Sequence, residues 1–250
     1  MIEWNKCYYT DCLDKNNGLP YLEKLIENGE MDKIDLCLTD PPYNINAGIT
    51  EGLCSSHKRH KRDNTVKTYN DNIENYREWC YSWFELLKKI CNKIIFTCGK
   101  LNLKMWFEEY DFHLVIWLIR NSSSRGFVSK FVRHEPILCF GDFKKRKLTF
   151  DVIDAIARGG FLGTVNFVHP HPKPQKLFKD IISQLQPKTV IDPFLGSGTT
   201  AEVCTKLGIK WIGYEINTEY EEDINNRLKK CKKEPIQTNL FSYKNFELKV

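Results

Sequence analysis

Short apolar runs alternate with longer amphipathic stretches along this chain, and that alternation admits few architectures besides a sheet flanked by helices. The apolar runs at 34–38, 94–98, 114–118, 137–140, 189–191 and 211–214 are expected strands. Amphipathic periodicity places helices over 19–27, 76–90, 176–184, 199–207 and 218–231. The expected class is α/β, with residues 1–235 forming one domain and 236–250 a tail. Two stretches break the rhythm. Residues 44–70, polar and basic after a strand end, are expected to be a mobile loop, and residues 141–168, basic and then glycine-rich, an insertion. Ligands of open α/β sheets gather at the carboxyl ends of strands, so loops following strands should carry the chemistry.

Apolar runs such as 114–119 are far too short to span a bilayer, which excludes membrane-spanning functions. The first six residues show neither a basic lead nor an apolar stretch of a secretory signal, so a cytoplasmic, reducing location is expected for the ten cysteines. No Cys-x-x-Cys pair occurs, and Cys37, Cys91, Cys98, Cys139 and Cys204 lie in apolar stretches, as small core residues do. Cys54, His57 and His60 are spaced like metal ligands but lack an obvious fourth, and a solvated basic loop is the preferred reading; no metal is expected. The formal net charge of +5 is clumped at 57–62, 144–147 and 229–233, in a pattern suited to phosphate contact. Lys58, Arg59, Lys61, Arg62, Lys144, Lys145, Arg146 and Arg158 are the expected nucleic-acid contacts.

Two motifs sharpen this outline. In the first, an apolar strand runs through Asp192-Pro193-Phe194-Leu195-Gly196-Ser197-Gly198-Thr199 into a helix, so that glycines let backbone amides approach a ligand at a helix N-terminus. The turn lacks the Gly-Lys-Ser/Thr ending of a phosphate loop, which argues against nucleotide hydrolysis. Glu215 ends the next strand at the spacing where an acidic residue meets ribose hydroxyls, so an adenosine-containing cofactor is expected. Its expected contacts are Asp192, Phe194, Gly196, Ser197, Gly198, Thr199, Glu215 and Ile216.

In the second motif a strand ends in Asp40-Pro41-Pro42-Tyr43. Two prolines fix the backbone and remove two N–H donors, leaving carbonyls beside a carboxylate and an aromatic face. An exocyclic amine of a nucleobase is a poor nucleophile until acceptors hold its N–H bonds. The Asp40 carboxylate and Pro41 carbonyl can do that while Tyr43 stacks on the base, allowing direct attack on a sulfonium methyl group.

Together these motifs resemble those of the amino-methyltransferases of nucleic acids, and their order, catalytic before cofactor motif, resembles the beta group of DNA enzymes that methylate adenine N6 or cytosine N4. Asp11-Cys12-Leu13 is similar to the family's adenine-reaching segment, and Arg133-His134-Glu135-Pro136-Ile137 to a motif of its later strands. His169-Pro170-His171-Pro172-Lys173-Pro174 is similar to the segment leading to the cofactor's methionine end. The resemblance implies a Rossmann-like class I methyltransferase with a mostly parallel seven-stranded sheet and circularly permuted motif order. It also implies S-adenosylmethionine as cofactor, Asp40, Asp11, Cys12, His169 and Lys173 as further cofactor contacts, and attack by a base swung out of the duplex.

Asp rather than Ser before Pro-Pro-Tyr goes with adenine N6 in that group, and cytosine N4 is the alternative. Cytosine C5 chemistry needs a cysteine nucleophile, usually after proline, and no Pro-Cys dipeptide occurs. An RNA amino-methyltransferase and an inactive relative are the remaining rivals. The family's target-recognition segment would have to fit between 141 and 168, which is short, so sequence reading is expected to be shared with the 44–70 loop or with a second subunit, or to be limited to a short site. DNA is the expected partner, with a homodimer and a cognate restriction endonuclease as further partners. Gln237, Leu240 and Phe241 in the tail resemble a sliding-clamp docking peptide, against the blander reading of a tail strand packed on the body.

Overall fold

The computed structural model describes residues 2–44, 72–122, 129, 131–157 and 172–232. Cys54, His57, His60, Lys58, Arg59, Lys61, Arg62, Arg158, His169, Gln237, Leu240 and Phe241 lie outside the described residues. Among the described residues, eight strands form one sheet: β1 (Lys6–Tyr8), β2 (Leu36–Thr39), β3 (Lys93–Thr97), β4 (His113–Leu118), β5 (His134–Gly141), β6 (Val152–Asp154), β7 (Thr189–Asp192) and β8 (Lys210–Tyr214). Their order is β1-β8-β7-β2-β3-β5-β4-β6, and every pairing is parallel except those of β5 with β3 and β4. The sheet is mostly parallel, as expected, with eight strands where seven were implied.

The helices are α1 (Leu19–Glu27), α2 (Tyr76–Ile90), α3 (Leu103–Glu109), α4 (Gln175–Leu185), α5 (Thr199–Leu207) and α6 (Glu221–Lys229). In α2, Cys80, Trp83, Phe84, Leu87 and Ile90 recur at helical spacing and are buried, while Glu78 in the first turn and Lys88 and Lys89 in the last complement the helix dipole. α5 is bounded by Gly198 and Gly208, both in the left-handed region that favours glycine. Alternation in the central strands builds two cores. Leu36, Leu38 and Ile95 face the layer that includes Leu177, Ile181 and Val203, whereas Cys37, Ile94 and Phe96 face Leu22, Trp83 and Phe84. Both faces of β2 are therefore covered, and all four of its residues are buried.

The expected core cysteines are buried, and burial pushes the Cys98 and Cys139 thiols up to about 12, so they behave as apolar fillers. No helix among the described residues is long and apolar enough to cross a membrane. Two neighbouring central strands, β7 and β2, run parallel, and the chain leaves them in opposite directions along the sheet, toward β8 and toward β3. Such a switch point opens a crevice at the carboxyl ends of the strands.

Candidate active site

Both motifs end at that crevice. β2 delivers Asp40 and β7 delivers Asp192, and the Thr39 hydroxyl donates to Asp192 Oδ1 at 2.5 Å across the switch point. The Asp40 loop is tied down around its working atoms. Tyr76 donates its hydroxyl to the Pro42 carbonyl at 2.7 Å, and Asn102 Nδ2 donates to the Tyr43 carbonyl at 2.8 Å. Asn44 exchanges hydrogen bonds with the backbone of Ile73, tying the end of the Asp40 loop to the segment before α2. The Pro41 carbonyl accepts from no donor among the described residues, and Pro41 itself is buried beside Asp40.

Three donors converge on Asp40 Oδ1: the Thr97 hydroxyl, the Tyr43 hydroxyl at 2.9 Å and Lys173 Nζ at 3.1 Å. Lys173 also donates to Glu135 Oε1 at 2.6 Å, and the single Tyr43 hydroxyl proton is shared between Asp40 Oδ1 and that same Glu135 oxygen. The ammonium lies 5.1 Å from the Tyr43 ring centroid and 5.3 Å from that of Trp117, whose own indole N–H is held by the Ala155 carbonyl. Burial works to lower the Lys173 pKa, but the Asp40 and Glu135 charges outweigh it and the net shift is upward, so the side chain is a cation. Burial, reinforced by the same two carboxylates, raises the Tyr43 phenol and keeps it protonated.

The glycine turn is fixed from three sides. Leu195 N–H donates to the Tyr214 carbonyl at 2.8 Å, and Gly196 N–H donates to Glu215 Oε2 at 2.8 Å. Glu215 Oε1 accepts from Asn217 N–H at 2.7 Å, and Arg227 of α6 donates to the Ser197 carbonyl and to Glu202. Gly213 lets the turn sit on β8, since a Cβ there would lie 2.7 Å from Leu195 Cδ2. Asp192 is held by the Thr39 and Thr200 hydroxyls and the Phe194 N–H, yet burial, the largest influence, raises its carboxyl to about 6. Burial also raises the Glu215 carboxyl, offset in part by its amide donors.

A cleft of about 40 Å³ joins the motifs, lined by Asp40, Lys173, Asp192, Phe194, Gly196 and Thr199 among others. A larger cavity of about 520 Å³ lies at the amino ends of β7 and β8, lined by apolar residues such as Ile182, Leu207 and Ile209 with Lys188 and Lys210. The smaller cleft is the candidate site, because the Asp40 and Asp192 carboxylates and the Lys173 side chain converge there with the glycine turn. Beside it, Ile216 is 70% exposed directly after the buried Glu215. An exposed apolar side chain, a carboxylate and a glycine turn at a helix N-terminus fit the adenosine part of S-adenosylmethionine.

The expected residues Asp40, Pro41, Pro42, Tyr43, Lys173, Asp192, Phe194, Gly196, Ser197, Gly198, Thr199, Glu215 and Ile216 thus share one end of the sheet. Asp11 is at the same end, after β1, where its carboxylate accepts from Leu13 N–H. Two expectations change in detail. The Cys12 thiol is buried in the core, so only backbone at that position can face a ligand. Lys173 turns its ammonium toward Asp40 and Glu135, while its carbonyl accepts from Thr199, so it bridges the two motifs.

Lys144, Lys145 and Arg146 are not brought to this site. β5 runs against its neighbours, pairing Gly141 with Lys93 at the start of β3, so the segment after Gly141 emerges at the opposite end of the sheet. Arg146 there reaches Gln186 at the C-terminus of α4. Among the described residues, the exposed cations at the site's end of the sheet include Lys100, Arg120 and Arg133, which flank β3, β4 and β5. Sequence reasoning also gave no role to Glu135, Thr97, Trp117 or Arg227. Glu135 alone left a signal, as an acidic residue in a motif leading into an apolar strand.

The family model for N6/N4-type enzymes, described as DNA methylase, matches residues 158–226. The chain is 30% identical over 244 residues to the Type II methyltransferase M.HpaI of Haemophilus parainfluenzae, covering 82% of this chain and 71% of that one. It is 50% identical over 54 residues, 21% of this chain and 18% of the other, to the DNA adenine methyltransferase YhdJ of Escherichia coli K12. Among solved structures, the cytosine-N4-specific PvuII DNA methyltransferase has the same fold, with a TM-score of 0.56 and 18% identity over 79% of this chain and 85% of that one.

Proposed function

The chain belongs to the family of S-adenosylmethionine-dependent DNA amino-methyltransferases of N6/N4 type, and from that premise we propose that this site-specific DNA methyltransferase acts on N6 of adenine. The carrying observation is Asp40, a carboxylate that directly follows β2 and lines the cleft, next to the Pro41 carbonyl, which accepts from no donor among the described residues. The two acceptors suit the two N–H bonds of an exocyclic amine, and Asp at this position goes with adenine in related enzymes. Similarity to the adenine enzyme YhdJ supports the same base.

Glu215, Ile216 and the turn from Gly196 to Gly198 would hold S-adenosylmethionine, which supplies an electrophilic methyl group. This chain's own residues then orient the amine. Asp40 and Pro41 accept its N–H bonds and raise the electron density on nitrogen, and Tyr43 offers its ring to a base taken out of the stack. Asp40 is also placed to receive the proton that nitrogen sheds. Transfer of labelled methyl groups to duplex DNA, followed by nucleoside analysis, tests the assignment: N6-methyladenine supports it and N4-methylcytosine overturns it.

DNA is the substrate, and a homodimer and a cognate restriction endonuclease remain part of the proposal, the latter because M.HpaI is a Type II enzyme. Docking of the tail through Gln237, Leu240 and Phe241 on a sliding clamp, and a cytoplasmic location, rest on sequence alone.

A further inference from the structure

We propose that Glu135 is a positioning residue for methyl transfer: it holds Lys173 as its own counter-ion, so that the Asp40 carboxylate keeps its negative charge for the amine. The inference rests on Asp40 being the amine's acceptor. Lys173 Nζ lies closer to Glu135 Oε1, at 2.6 Å, than to Asp40 Oδ1, at 3.1 Å. The three side chains are only 12%, 19% and 25% exposed for Lys173, Glu135 and Asp40, with the Tyr43 and Trp117 rings as walls, so their charges are weakly screened. Two carboxylates and one ammonium give the cluster one net negative charge.

Methyl transfer moves positive charge into this cluster. As the N–C bond forms, the electron pair of the broken C–S bond stays on sulfur, and the amine nitrogen becomes cationic until its proton passes to Asp40. The cluster begins with one negative charge and ends neutral. Without Glu135 it would begin neutral, with Lys173 drawn fully onto Asp40, and end with an unbalanced ammonium in a desolvated site. Tyr43, which also donates to Glu135, would lose a charged acceptor at the same time.

The test uses the full chain carrying Glu135→Gln, Glu135→Asp, Lys173→Met and the double variant Glu135→Gln/Lys173→Met. Glutamine keeps the hydrogen-bond acceptor and removes only the charge. Glu135→Gln is expected to slow single-turnover methylation about 30-fold with S-adenosylmethionine affinity within about threefold, as for a lost electrostatic stabiliser. Glu135→Asp, which keeps the charge, should stay within about fivefold of wild type. The double variant restores the original charge count and should transfer faster than Lys173→Met alone. Urea unfolding without cofactor provides a second readout: adding Glu135→Gln should destabilise the wild type but stabilise Lys173→Met, which otherwise holds two unbalanced carboxylates. Equal turnover in wild type and Glu135→Gln, equal losses in the Gln and Asp variants, or no reversal of sign in the Lys173→Met background would each overturn the proposal. The wild-type transfer rate, measured alongside, tests the underlying reading separately.

Discussion

The Thr39 hydroxyl and Asp192 Oδ1 meet at 2.5 Å, although 153 positions separate them in the chain. Thr39 immediately precedes Asp40, the proposed amine acceptor, and Asp192 opens the glycine turn proposed to hold the cofactor. One hydrogen bond at the β2–β7 switch point thus joins the two motifs whose order in the chain marks the permutation. In three dimensions that order is immaterial, because both strands present their carboxyl ends to the same crevice.

The Asp192 carboxyl should make stability depend on pH in an unusual direction. Its pKa is raised from 3.8 to about 6, so the native protein holds this proton more tightly than the unfolded chain. The contribution is full below about pH 4 and is lost as pH rises to about 6, amounting to about 3 kcal/mol. Urea unfolding of wild type and Asp192→Asn between these limits checks it. The difference in stability should shift in favour of the Asn variant as pH rises; a constant difference would sink the assignment.

Asp40→Ala should lower methyl transfer by at least about 3 kcal/mol in activation free energy, on the scale of a lost preorganised polar group. S-adenosylmethionine affinity should change little, because Glu215 and the glycine turn are untouched. Calorimetric binding alongside single-turnover rates separates the two, and near-normal turnover would contradict the role given to Asp40.

Gly18 should tolerate no side chain. A Cβ there would run into the backbone of the Cys12–Asp14 turn, meeting the Cys12 carbonyl, Asp14 O at 2.6 Å and Asp14 N at 2.8 Å. Gly18→Ala must shift the Asp11–Asp14 turn, at an expected cost of about 1–3 kcal/mol in stability. Weaker cofactor binding should accompany it, since Asp11, at the head of that turn, lies at the same end of the sheet as Glu215 and the glycine turn. Unchanged unfolding and unchanged affinity would show that the turn is not under this constraint.

The salt dependence of DNA binding should separate the two sets of cations. Lys100→Ala with Arg133→Ala, on the catalytic end, should reduce the slope of log affinity against log salt by about 1–2. Lys144→Ala, Lys145→Ala and Arg146→Ala together should leave it unchanged, because they follow β5 to the far end of the sheet. The reverse pattern would relocate the DNA-binding surface.

How much of this was legible in the chain depended on how much periodicity each element carries. α1, α2 and α5 have the bounds that their apolar spacing predicts, and the buried central strands stand out as apolar runs. β1 and β6 are three-residue edge strands with partly exposed residues, too short to show alternation. α3 spans only seven residues, follows a 3-10 turn and leaves Phe107 exposed, which blurs its apolar face. Of the site, the residues contiguous in motifs were readable, whereas the Lys173–Glu135 contact depends on where β5 meets the segment before α4. That Lys144, Lys145 and Arg146 lie away from the candidate site has one cause: strand direction is a tertiary property, and β5 is the one described strand antiparallel to both of its neighbours.

The most direct measurement is base-modification sequencing of the genome of a methylation-free bacterium expressing this protein, beside the same strain expressing Asp40→Ala. The expected result is N6-methyladenine confined to one short recognition sequence with the wild type and absent with the variant. N4-methylcytosine in its place, or modification that survives Asp40→Ala, would contradict the account.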